Sequence, residues 1–227
     1  MKKYFVLLLL AFFPFANSDA QSRQEIDADD FSGISFGVAG KLYLEQADDY
    51  SVIIEGDADL LDDIRVFVRG DRLIIRNDTW LNFGNKKVTA RVRMPVVESL
   101  SVSGSGELLA TDAVNAAYLD VSVSGSGDIN LDMLKADGID CSISGSGNIE
   151  LKGMAGEGDV SISGSGKYSG LDFAVGTMEV SISGSGRCKV NVEDSLEARV
   201  SGSGNVYYKG NPRIDARISG SGKVRKY

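Results

Sequence analysis

Apolar and polar residues alternate along most of this chain, and the alternation restarts at a regular interval. Val121-Ser122-Val123, Cys141-Ser142-Ile143, Val160-Ser161-Ile162, Val180-Ser181-Ile182, Ala198-Arg199-Val200 and Ala216-Arg217-Ile218 each place two apolar side chains on one face and a polar one on the other. That is the period-two pattern of a half-buried strand. Each run leads into Ser-Gly-Ser-Gly, which starts at Ser103, Ser124, Ser144, Ser163, Ser183, Ser201 and Ser219, so the repeat is 18 to 21 residues long. A second alternating run follows each motif and puts Leu108, Ile129, Ile149, Tyr168, Cys188, Val206 and Val224 at one inward position. Variable connectors such as 111–117 and 132–137 read as loops, and an apolar corner follows at Leu119, Ile139, Met178, Leu196 and Ile214.

A single coil of this kind buries too few apolar side chains to offset the entropy of ordering its backbone. Stacking removes the deficit, because backbone groups pair with the coils on either side and the inward positions merge into one core. The pattern therefore predicts an all-β fold, a right-handed single-stranded parallel β-helix of about 20-residue coils with an irregular N-terminal β cap. Residues 21–100 supply the cap and first coils, and 101–227 the repeat helix, continuous with the cap as one domain. Ile34 to Leu42 superposes on Val121 to Ile129 as a degenerate copy, and 64–76 reads as two strands turning at Arg69-Gly70-Asp71. The motif glycines are explained by a bend, a positive φ or close contact between coils.

Residues 1–20 read as a secretory leader. Lys2 and Lys3 precede an apolar stretch from Tyr4 to Phe13, and Ser18-Asp19-Ala20 supplies small residues for cleavage. The apolar stretch is too short to span a bilayer comfortably, so the expected product has no membrane span and is exported, to the periplasm, the cell surface or the medium. The formal net charge of −8 argues against nucleic acid as a partner. The absence of His excludes Ser-His-Asp and Cys-His nucleophile arrangements and imidazole zinc sites. Cys141 and Cys188 occupy inward positions two coils apart, beyond disulfide reach, and are expected as buried free thiols.

Four residues before each motif stands an acid in six consecutive coils: Asp120, Asp140, Asp159, Glu179, Glu197 and Asp215. Stacking turns them into one outward file whose members repel, which raises pKa values or recruits cations. Calcium suits such oxygen ligands. The simpler reading is an exposed acidic edge bonded to nearby turns and to Arg199 and Arg217, and no metal or cofactor is assigned. Paired carboxylates also suit glycoside hydrolysis, yet a file spaced at one coil guarantees such pairs without catalysis, and short, even coils leave no loops to wall a cleft. Ser122, Ser142, Ser161 and Ser181 form a hydroxyl surface that suits glycan or ordered water, or is merely small and polar. Arg69-Gly70-Asp71 matches an integrin-recognised tripeptide and is better explained as a hairpin turn. Trp80 and Phe83 read either as an aromatic platform for a sugar or protein partner or as a plug for the coil stack.

From Phe31 onward the chain resembles the auto-transporter adhesin family called the head GIN domain. The resemblance rests on Phe31-Ser32-Gly33-Ile34, Asp71-Arg72-Leu73-Ile74-Ile75, Met94-Pro95-Val96-Val97-Glu98-Ser99-Leu100 and the serial Ser-Gly-Ser-Gly units. It implies a β-helical fold and an adhesive role with no catalytic motif, and no residue here suits an outer-membrane translocator. The expected function is a non-catalytic, adhesin-like surface module presenting polar ladders to a glycan or to an envelope or extracellular protein. The alternative is a polysaccharide-active β-helix enzyme, a lyase or hydrolase.

Overall fold

The computed structural model describes residues 21–78 and 87–227. The leader read over residues 1–20 and the aromatic candidates Trp80 and Phe83 lie outside the described residues. The strands in chain order are β1 (Gln21–Ile26), β2 (Gly33–Gly37), β3 (Gly40–Gln46), β4 (Ser51–Asp57), β5 (Ile64–Arg69), β6 (Arg72–Asn77), β7 (Val88–Met94) and β8 (Ser99–Gly104). They continue as β9 (Glu107–Gly125), β10 (Asp128–Gly145), β11 (Asn148–Gly164), β12 (Lys167–Gly184), β13 (Arg187–Gly202), β14 (Asn205–Lys209), β15 (Arg213–Gly220) and β16 (Lys223–Lys226). One short helix, α1 (Ala58–Leu61), follows β4.

From β9 onward every pairing between coils is parallel and in the register that the repeat predicts. Leu108, Ile129, Ile149, Tyr168, Cys188, Val206 and Val224 stand side by side on successive strands. These coils form a parallel β-solenoid around one continuous apolar core, and no polar or charged residue is buried among the described residues. Cys141 and Cys188 are free thiols inside it.

The connectors differ from expectation. Where the sequence suggested loops, β9 to β13 run unbroken for 16 to 19 residues from one glycine bend to the next. A loop stacked between two coils would leave its backbone donors and acceptors unpaired, so the connectors pair as well. Their unequal lengths are absorbed by register shifts such as Leu131 to Leu134 and Gly170 to Ala174, the usual work of β-bulges.

The motif bend explains its two glycines separately. Gly145 has φ +120°, and a Cβ on it would lie 2.5 Å from the carbonyl oxygen of Gly125 in the preceding coil. That same oxygen accepts the N–H groups of Ser146 at 2.8 Å and Gly147 at 3.0 Å. A Cβ on Gly147 would meet Val123 Cγ1 at 2.4 Å. The first glycine therefore lets the bend dock on the coil before it, and the second leaves room for the core.

The N-terminal region is stacked out of sequence order. Ile34 pairs beside Leu100, which pairs beside Val121, while Leu42 stands beside Leu108. Thus β2 and β3 form a coil in register with the motif repeat. However, β6 and β7 pair on the other side of β2 and β3, so the outermost parallel coil is made by residues later in the chain. Beyond it the pairing turns antiparallel: β5 on β6 through the turn at Gly70 (φ +67°), β4 on β7, and β1 on β4. Leu60 and Leu61 of α1 are buried at this end.

Candidate functional site

The six acids become a file because each stands one position after the corner of its coil, which is buried at Leu119, Ile139, Met178 and Leu196, is Gly158 in the third coil, and is the exposed Ile214 in the last. Asp120 pairs beside Asp140, then Asp159, Glu179, Glu197 and Asp215 follow on successive coils. Cations close both ends. Arg72 donates to Ser99 Oγ at 2.8 Å, Ser99 stands directly beside Asp120, and the Arg72 charge acts on that carboxylate. At the other end Arg199 bridges Glu179 and Glu197, and Arg217 lies 3.2 Å from Asp215. Asp120, Asp140 and Asp159, the N-terminal half of the file, form no ion pair among the described residues.

A parallel file two residues earlier in each coil holds Tyr118, Gly138, Glu157, Thr177, Ser195 and Arg213. Gly138 has no side chain, and the Tyr118 ring fills that space: a Cβ there would lie 2.8 Å from the ring. The phenol reaches Asp140, and that hydrogen bond, with some burial, pushes the Tyr118 pKa up to about 12. An open groove of about 570 Å³ runs over the two files, with Tyr118, Asp140, Glu157, Asp159, Glu179 and Arg213 in its lining.

Partial burial holds the Asp159 carboxyl above its ordinary value, and the Glu179 and Asp140 charges add to this while Arg199 opposes it. Asp120 is raised for the same first reason, against Arg72. Among the described residues, no three acids converge to hold a metal ion. The carboxylates stand in a row, which suits an extended cationic or hydroxyl-bearing ligand better than a point charge. Tyr118 and Glu157 are not legible as site residues in the sequence, because they stand at the end of the variable connectors, where the alternation is broken. The one signal is that both lie two residues before a file acid and so on the same strand face.

The sequence from residue 30 to 212 matches the family described as "Putative auto-transporter adhesin, head GIN domain". The chain belongs to this family. Membership in the head GIN domain family points to an exported or surface protein. The crystal structure of a putative adhesin from Parabacteroides distasonis is similar, with 26% identity, 91% of this chain and 97% of that one covered, and a TM-score of 0.75. A putative adhesin from Bacteroides fragilis shares the fold at 23% identity, covering 92% of this chain and 98% of its own, with a TM-score of 0.85. A putative lipid binding protein from Parabacteroides distasonis does so at 23% identity, 91% and 96% coverage and a TM-score of 0.75. No match was found among curated proteins.

In this head GIN domain a third file runs on the other side of the acids. Ser35, Ser101, Ser122, Ser142, Ser161 and Ser181 pair on successive coils and are followed by Arg199 and Arg217. An open groove of about 440 Å³ lies over its C-terminal part. The hydroxyl ladder expected of the repeat is thus continuous with the two arginines that pair with Glu179, Glu197 and Asp215.

Proposed function

We propose that the protein is an exported, non-catalytic, adhesin-like binding module whose acidic file takes a partner in the envelope or outside the cell. The observation that carries this reading is the pair Asp140 and Asp159, without an ion-pair partner among the described residues, in an open groove that continues over the paired Glu179, Glu197 and Asp215. Unpaired carboxylates half-withdrawn from water gain most from a ligand that brings donors or positive charge. The groove is open, and its acids, Glu157 included, stand on one strand face rather than across a cleft, which supports binding over hydrolysis. The adhesin names of the family and of its structural neighbours support the same side.

A glycan array combined with a polysaccharide-cleavage screen tests this directly. Binding without cleavage, lost in Asp140→Asn/Asp159→Asn, is expected. Turnover of any polysaccharide would overturn the non-catalytic reading, and binding that ignores the double variant would move the site elsewhere.

A further inference from the structure

We propose that the C-terminal half of the face formed by β12, β13, β14 and β16 is a docking surface for an anionic polysaccharide. This face lies after the motif bend and shares no residue with the acidic groove. Its first outward file reads Lys167, Arg187, Asn205 and Lys223, and its second reads Ser169, Lys189, Tyr207 and Arg225. Lys209 stands beside Asn191 in a third. None of these six cations forms an ion pair among the described residues. In a chain of formal charge −8, this is a local field opposed to that of the whole.

The same two files change character toward the N-terminus. There they carry Glu107, Asp128 and Glu150, and each already has a partner: Lys41 at 2.9 Å, the Asn148 amide, and Lys152 at 3.9 Å. The acids of these two files are held by partners within the protein, and the cations of their C-terminal half have no ion pair among the described residues.

Two tyrosines are set among the cations. The Arg225 guanidinium lies 4.7 Å from the Tyr207 ring centre and donates to its hydroxyl at 3.0 Å, and Lys189 Nζ lies 5.1 Å from the Tyr227 ring centre. The Arg225 hydrogen bond, with the Arg225, Arg187 and Lys189 charges, pulls the Tyr207 phenol below its ordinary value, against partial burial.

The geometry selects the occupant. Rows of cations rising by about 4.8 Å per coil match a linear polyanion lying along the stack, and tyrosine rings offer an apolar face to sugar C–H groups with a polar edge beside it. Membrane docking needs apolar side chains to insert beside the basic ones, and among the described residues Tyr227 is the only large apolar residue exposed on this face. Single-stranded nucleic acid would use related chemistry, but the exported or surface character of the family places acidic glycans nearer to hand.

The test compares the full chain on immobilised polygalacturonate and chondroitin sulfate with neutral dextran, phosphatidylglycerol vesicles and a single-stranded oligodeoxynucleotide. Retention on the two acidic glycans at about 50 mM salt is expected, falling as salt rises, with no retention on dextran. Lys189→Glu/Arg225→Glu should weaken it by about tenfold or more, whereas Arg23→Glu/Arg65→Glu, an equal charge change on the cap, should leave it intact. Lys189→Gln/Arg225→Gln serves if the reversal fails to fold. No preference for acidic glycans over dextran, equal losses in the two double variants, or tighter binding to the vesicles or the oligonucleotide would each overturn the proposal.

Discussion

At Gly164 the backbone has φ +117°, and a Cβ would sit 2.5 Å from the carbonyl oxygen of Gly145, which is itself accepting the Ser165 N–H at 2.8 Å. Neither the conformation nor the space suits an L side chain, and the neighbour that would have to move is backbone. Gly164→Ala is expected to cost about 1–3 kcal/mol, lowering Tm by about 2–4 °C per kcal/mol in a chain of this size. Exposed Ser165→Ala provides the comparison and should not move Tm measurably. Equal melting of the two variants by circular dichroism would refute the docking role of the bend. Asp159 makes an electrostatic point. Its pKa is raised in the folded state by partial burial first, then by Glu179 and Asp140, so the native chain holds this proton more tightly than the unfolded chain. Between the unfolded and folded pKa values stability therefore falls as pH rises, and above that window the ionised group is a net cost. Asp159→Asn should raise stability at neutral pH by a few tenths of a kcal/mol, given its exposure, and the advantage should vanish once pH is below the unfolded value. A variant less stable than the parent at neutral pH would contradict this.

At the scale of the strand, position in the stack decides stability. Coils β10, β11 and β12 have a paired neighbour on each side, whereas β15 and β16 pair on one side only and every residue of β15 is exposed. In a one-dimensional array each unit is held by its neighbours, so amide exchange should be fastest in β15 and β16 and slowest in β10 to β12. Mass-spectrometric hydrogen exchange that found the last coil as protected as the middle would rule out nearest-neighbour control. The repeating coils were legible because every inward position is apolar at a constant offset from the motif, as in the file from Leu108 to Val224. Their connectors were not, because the offset drifts there: bulges of different length, such as Glu150 to Lys152 and Gly170 to Ala174, erase the alternation that marks a strand. Nor was the insertion of β2 and β3 between two later coils. The local pattern of Ile34 to Leu42 fixes which face is buried but says nothing of which strand lies beside it.

Over the molecule as a whole, the charges that lack an ion-pair partner are sorted by surface, with Asp140 and Asp159 on the strands that precede the bend and Lys167, Arg187, Lys189 and Arg225 on those that follow it. This arrangement bears on the one ion that an acidic row invites. Calcium takes six to eight oxygens gathered around a point, while a file presents its carboxylates along a line at about 4.8 Å steps, and Arg199 and Arg217 already occupy the C-terminal members. No three acids converge among the described residues. Millimolar calcium is therefore expected to leave Tm where chelator leaves it. The experiment is sensitive: a site with Kd about 100-fold below the added concentration would stabilise the native state by about 2.7 kcal/mol, several degrees for a chain of this length. A rise in Tm with calcium, reversed by chelator and absent in Asp140→Asn/Asp159→Asn, would show that the row closes around an ion and that the acidic groove is a metal site rather than a surface for an extended partner.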